Sequence, residues 1–199
     1  MPEQSTDSSD LSENGDVSVP EVPPPVVSFD VTCRTADDKL VVVPSHILSC
    51  SKVFSQMCGD LDIVTKEDDQ DKTPSFPGEF FVANMQHELF LKVIEWCKEH
   101  AGLPDPVIEE HHITKERVHF VFTDFEKEFL DVSVPELKEL LMASNYLDIP
   151  SLYLYSCQRA AELMTNKTVE QVRQEWGFVD DIPEAEKERI RKEHAWCLL

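Results

Sequence analysis

From position 27 to 34 apolar and polar residues alternate: Val27, Phe29, Val31 and Cys33 are interleaved with Ser28, Asp30, Thr32 and Arg34. A period of two is the signature of a strand with one face buried. Ala36-Asp37-Asp38 supplies a turn, and the β-branched run from Leu40 to Val43 predicts a second strand, so the pair reads as a hairpin that Pro44 ends. Ile47-Leu48, then Val53-Phe54 with Met57, predict two short helices, with Ser45 and Ser49 or Ser51 available as N-caps. Phe80-Phe81-Val82 predicts a third strand. From Gln86 to His100 the period changes to that of a helix. Leu89, Val93, Trp96 and Cys97 share one side, and Phe90 and Ile94 widen it into the face of a core helix.

The C-terminal third is helical in pattern. Ser133-Val134-Pro135-Glu136 is a capping-box sequence with proline in the first turn, where a missing N–H costs little. Leu137, Leu140, Leu141 and Ser144 follow at helical spacing. Asp148 is placed to cap the next helix, whose face runs Ile149, Leu152, Tyr153, Ser156, Cys157, Ala160 and Met164. Small residues at Ser156, Cys157, Ala160 and Ala161 let another backbone approach. Thr168 to Gln171 repeats the cap logic, with Val169, Val172 and Trp176 on one side. The last helix, from about Pro183, carries Glu186/Arg189 and Glu188/Lys192 pairs and few apolar residues, mainly Ile190, Trp196 and Cys197. Such a helix is either loosely docked or completed by a partner, and an aromatic anchor in a groove is how interface hot spots look.

Composition narrows the function classes. The chain has 199 residues, 39 acidic and 18 basic side chains, and a formal net charge of -21. That surface repels phosphate backbones and anionic lipid, which argues against nucleic-acid and membrane partners. Residues 1–25 are rich in Ser, Asp, Glu and Pro, lack Lys and Arg, and are expected to be a disordered acidic tail. Two charged loops are expected at 60–78, centred on Lys66 to Lys72, and at 102–118, which contains Pro104, Pro106 and Glu109-Glu110-His111-His112. Adjacent histidines point apart on a helix or strand, so metal binding there is not indicated. With no secretion signal or apolar span, the expected location is cytoplasm and nucleus. The six cysteines, Cys33, Cys50, Cys58, Cys97, Cys157 and Cys197, then read as reduced thiols. The five glycines form no phosphate-cradling loop, and His46, His87, His100, His111, His112, His119 and His194 show no triad or metal spacing. No catalytic residue, cofactor or metal is expected.

Several stretches together carry a resemblance. They are Leu91 to His100, Phe125 to Leu130, Leu137 through Asn145-Tyr146-Leu147-Asp148-Ile149, Asn166 to Arg173, and Arg191 to Cys197. They resemble the Skp family, the S-phase kinase-associated protein adaptors of SCF ubiquitin ligases, from about Val27 to Leu199 and most strongly after Phe125. The resemblance implies an α/β fold: a POZ (BTB-like) core at 26–131, with a small three-stranded sheet flanked by helices, and a C-terminal helical region at 132–199 that completes the core and binds an F-box. It implies a non-catalytic adaptor that joins F-box proteins to a cullin and, indirectly, to a RING protein and a ubiquitin-conjugating enzyme. Its contribution would be proximity.

Carried onto this chain, the resemblance puts Asn145 and Tyr146 on the cullin-facing surface. It puts Leu137, Leu141, Tyr153, Cys157, Ala160, Phe178, Trp196 and Cys197 along the F-box groove. Read on residue type alone, Asn145 could instead be a helix C-cap and Tyr146 a core-rim aromatic. Cys157 and Cys197 lack the basic neighbours that activate a nucleophile. The chain departs from the family pattern at Phe120-Val121-Phe122 and Phe125, where a tryptophan is usual, and at Pro150, Tyr153-Leu154-Tyr155 and Trp176-Gly177-Phe178. These departures bear on which F-box proteins bind. The competing expectation is a self-associating POZ scaffold using exposed apolar residues among Ile47, Val53, Phe54 and Met57.

Overall fold

The computed structural model describes residues 28–61 and 76–198, with backbone alone at 197 and 198. The expected tail at 1–25, Val27, the loop centre at 66–72 and the side chain of Cys197 lie outside the described residues. The chain opens with β1 (Asp30–Thr35) and β2 (Leu40–Pro44), paired antiparallel with Thr32 opposite Val42. Val31, Cys33 and Thr35 point inward, as the period of two requires. Asp38 turns the hairpin in the left-handed region, φ 57°, which aspartate tolerates. Two short helices follow, α1 (Ser45–Leu48) and α2 (Lys52–Asp60). Strand β3 (Glu79–Val82) then returns parallel to β1, giving a three-stranded sheet of order β2-β1-β3.

The long helix α3 (His87–Glu99) buries Phe90, Val93, Ile94, Trp96 and Cys97, the face its periodicity marks. After an extended, exposed linker come α4 (Asp124–Phe129), α5 (Val134–Tyr146), α6 (Pro150–Met164), α7 (Val169–Trp176) and α8 (Glu184–Glu193), ending in a 3-10 turn, Ala195–Leu198. The fold of the described residues is therefore mixed α/β, with eight α-helices and one small sheet. A single apolar cluster runs from Val31 and Val82 on the sheet through α3 to Leu137, Ile149 and Leu152 on α5 and α6.

Most polar groups inside this core are matched; among the described residues Ser156 Oγ and Trp176 Nε1 are buried without a hydrogen-bond partner. His100, just past α3, stacks on Trp96 with ring centroids 4.0 Å apart. Its Nδ1 lies 2.9 Å from the Trp96 carbonyl and its Nε2 3.1 Å from Glu126 Oε1, so both ring nitrogens face acceptors. The other carboxylate oxygen of Glu126 accepts from the Thr123 backbone N–H at 2.6 Å, closing a capping box at the start of α4. Gln158 on α6 treats Phe120 as a strand would. Its Oε1 accepts from Phe120 N at 2.7 Å and its Nε2 donates to Phe120 O at 2.9 Å. The linker is thus held at its C-terminal end.

Several expectations need correction. Of the possible caps, only Ser51 acts, accepting from Phe54 N at 3.2 Å; Ser45 lies inside α1. The Ser133/Glu136 capping box does not form, because the Glu136 carboxylate is taken by Lys92 of α3. Asp148 does not cap α6; Ile149 occupies that position, and Asp148 adopts a left-handed φ of 47° in the corner before it. Asn145 is not a C-cap, since α5 continues through Tyr146 and Leu147 caps it. The surface expected for a POZ scaffold is smaller than the sequence suggests. Phe54 is 2% exposed, packed on Phe76 and Phe80, and Ile47 is buried as well, so of the four residues only Val53 is exposed. Burying these side chains stabilises the chain's own core.

Candidate functional site

The first surface lies at the end of α5. Its position is set from the other side of the fold. Ser51 Oγ donates to the Leu147 carbonyl at 2.5 Å, and Lys52 N donates to the Asp148 carbonyl at 2.9 Å. These bonds pin the start of α2 to the α5–α6 corner, while Ile149 N closes the corner on the Ser144 carbonyl at 2.9 Å. Asn145 and Tyr146 consequently stand exposed on the last turn of α5. One turn earlier Met142 is 71% exposed, although it is a large apolar residue on a helix that otherwise packs inward. Tyr146 and Met142 line an open cleft of about 630 Å³ together with Leu89, Asn84 and Glu139. Met142 carries no sequence signal of its own, because helical spacing alone does not separate the rim of a buried face from its solvent edge.

The second surface is built from α6, α7, α8 and the terminal turn. Tyr153 is exposed on α6, with Cys157 half-buried one turn later. The Tyr153 hydroxyl is held above its ordinary pKa, chiefly by charge interaction with Cys157, its neighbour one turn on along α6. Ala160 is buried on the same helix and Leu141 half-buried on α5. Leu137 is 0% exposed and belongs to the core, so it cannot touch a partner as α5 now stands. The contact expected at Leu137 is therefore replaced by a core position.

Gly177, at φ 66°, ends α7 in the left-handed conformation and turns the chain toward Phe178. Lys138 of α5, a residue without a sequence signal, donates to the Trp176 carbonyl at 3.0 Å and covers the Phe178 ring at 5.9 Å. Phe178 stacks on the buried Trp176 yet stays 51% exposed. Beyond it, Asp180 collects Lys187 at 2.6 Å and Arg173 at 3.2 Å, tying α8 to α7 through charge rather than apolar packing. No residue of α8 is buried. Trp196 is 71% exposed, and its aromatic neighbour among the described residues is His194, at 6.3 Å on the same segment. The structure therefore joins Tyr153 with Cys157 and Trp176 with Phe178, and leaves Trp196 apart from both pairs.

The histidines of the linker are used locally. His111 and His112 stack at 5.0 Å, and His111 Nδ1 accepts from Thr114 N at 3.3 Å in an exposed turn. Cys33, Cys50, Cys58, Cys97 and Cys157 are free thiols, and burial pushes Cys33 up to about 12.

Comparison with known proteins gives these surfaces a context. Residues 150–197 match the profile of the Skp1 family, dimerisation domain. A Skp1-related protein of Caenorhabditis elegans is 30% identical over 168 residues, 84% of this chain and 91% of its own length. An S-phase kinase-associated protein 1 homolog of Tetrahymena thermophila is 31% identical over 171 residues, 85% of this chain and 95% of its own. An E3 ubiquitin ligase complex SCF subunit sconC of Arthroderma otae is 30% identical over 167 residues, 84% and 93% of the two chains. With nearly the full length of these relatives covered and the matched profile falling on α6, α7 and α8, the chain belongs to the Skp1 family.

Proposed function

We propose that this chain is the adaptor of an SCF (cullin-RING) ubiquitin ligase, bridging F-box substrate receptors to a cullin scaffold. The observation that carries the reading is the C-terminal segment: a helix with no buried residue, held by ion pairs and ending in an exposed tryptophan, in a member of the Skp1 family. Exposed aromatic anchors on a helix without a core face are what a groove-forming partner completes. The chain is not an enzyme, since members of the family are non-catalytic. It brings a bound substrate close to a RING-recruited ubiquitin-conjugating enzyme and so raises the local concentration of substrate lysines.

In this reading residues 26–131 are the POZ (BTB-like) portion, which includes the charged stretches 60–78 and 102–118. Residues 132–199 complete the core and hold the F-box, and 1–25 form an appended tail. Asn145 and Tyr146 meet the cullin. Tyr153, Cys157, Phe178 and Trp196 meet the F-box with Cys197, while Leu141 and Ala160 shape the groove above Leu137. The protein works in cytoplasm and nucleus, without nucleic acid or membrane.

The test is mass-resolved gel filtration with an F-box domain, with and without a cullin N-terminal domain. The expected result is a ternary complex that Asn145→Lys with Tyr146→Lys abolishes while the F-box complex persists. Truncation after Asp181 should abolish the F-box complex. A truncated chain that still binds the F-box, or a double variant that still recruits cullin, refutes the corresponding surface.

A further inference from the structure

The turn between α1 and α2 places one thiol against another far away in sequence. Cys50 Sγ donates to the carbonyl oxygen of Cys97 at 3.6 Å, 47 residues on, in the last turn of α3, and the two thiols lie close enough to perturb each other's ionisation. Their environments differ. Cys97 is buried in the core, whereas Cys50 is half-exposed and lines an open cleft of about 350 Å³ with Lys52, His100, Leu103 and Asp105. Lys52 pairs with Asp105 at 3.1 Å across the mouth of this cleft, offsetting the carboxylate nearest to Cys50.

We propose that Cys50 and Cys97 are a peroxide-sensing pair that closes to a reversible disulfide, with Cys50 the sulfur oxidised first. The asymmetry of the site selects the order. A hydroperoxide can reach Cys50 through the cleft and cannot reach Cys97 directly. Interaction with the Cys97 thiol lowers the pKa of Cys50, against burial and the Asp105 carboxylate, and the same interaction together with burial raises that of Cys97. The thiolate is the reactive form. In the first step Cys50 sulfur attacks the peroxide, an S–O bond forms, the O–O bond breaks, and the alcohol or water leaves. In the second, Cys97 sulfur attacks Cys50, the S–S bond forms, the S–O bond breaks, and the Cys97 proton leaves with the hydroxide as water. Two thiols lose two electrons to one peroxide. Cys50 sits in a turn rather than inside a helix, so the movement that brings the two sulfurs to bonding distance is available to it. Transient disulfides of this sensing kind are the ones found in reducing compartments.

The experiment is peptide mapping by mass spectrometry, under non-reducing conditions, of the full folded chain after brief exposure to hydrogen peroxide. The expected product is a Cys50–Cys97 linked peptide pair, lighter by two hydrogen atoms and restored by dithiothreitol. In Cys50→Ser, which alters a half-exposed turn position, the link is lost and Cys97 stays reduced. In Cys97→Ser, Cys50 stops at sulfenic acid and is labelled by dimedone; circular dichroism confirms that this core variant is folded. Pairing of Cys50 with another cysteine, oxidation of Cys97 in the Cys50→Ser chain, or a link that forms only in urea overturns the proposal.

Discussion

Glu126 offers a quantitative test of how the linker, α3 and α4 are joined. Its carboxylate accepts from Thr123 N at 2.6 Å and faces His100 Nε2 at 3.1 Å, while the far side of the imidazole faces the Trp96 carbonyl. Replacing Glu126 with Ala removes half of the capping box, about 1 kcal/mol. It also strands the ring nitrogen of a histidine that is 8% exposed, about 1–3 kcal/mol. The expected loss is about 2–4 kcal/mol, a large share of the roughly 5–15 kcal/mol that holds a typical domain together. Glu126→Gln should behave differently. The amide oxygen still accepts from Thr123 N, and the NH₂ group donates to Nε2 of an imidazole that keeps its Nδ1 proton for Trp96. That exchange costs about 1 kcal/mol or less. Urea unfolding followed by tryptophan fluorescence reads both variants, with an unchanged m-value required for the comparison. If Gln is as costly as Ala, the pair acts through charge and the hydrogen-bond account is wrong. If Ala costs less than about 0.5 kcal/mol, the network contributes nothing beyond a surface substitution.

Ser51→Ala removes a cap that both accepts from Phe54 N and donates to Leu147 O; stability should fall by about 1–2 kcal/mol in the same assay, and amide exchange should quicken at the α5–α6 corner. The Asp180 carboxyl is held below its ordinary pKa, chiefly by the hydrogen bond from Lys187 and, beyond that, by the charges of Arg173 and Lys187. A depressed folded pKa means that its tether on α8 is in force above the ordinary aspartate value, about 3.9, and is lost as pH falls through the lower folded value. A dye at the C-terminus should therefore show anisotropy falling at acid pH, and Asp180→Asn should lower it already at neutral pH; equal traces for both chains would contradict the tether.

What could be read from sequence was whatever one segment decides for itself. The alternation at Val31 and Cys33, the five buried residues of α3 and the Thr168/Gln171 capping box are local patterns, and all three stand in the structure. The box at Thr123 and Glu126 carries the same local Thr-x-x-Glu signature and is formed as well. Ser133 failed for a reason no local window contains, because the glutamate needed for its box is claimed by Lys92, 44 residues away. The same limit applies to the candidate surfaces. Resemblance put Leu137 and Tyr153 on one list, yet depth beneath the neighbouring helix separates a core leucine from an exposed tyrosine. Lys138 over Phe178 and Gln158 on Phe120 have no sequence signal, since each depends on a partner 38 or more residues distant.

The side-chain clasp of Gln158 on the Phe120 backbone makes the preceding linker modular. With His100 stacked at one end and Phe120 gripped at the other, both anchors sit inside the fold and the span between them bears little on it. Closing a longer span costs only about 0.6 kcal/mol for each doubling of its length. The segment is thus a natural insertion port. A peptide tag or a small folded domain grafted near His111 should ride on the surface without disturbing either α3 or α6.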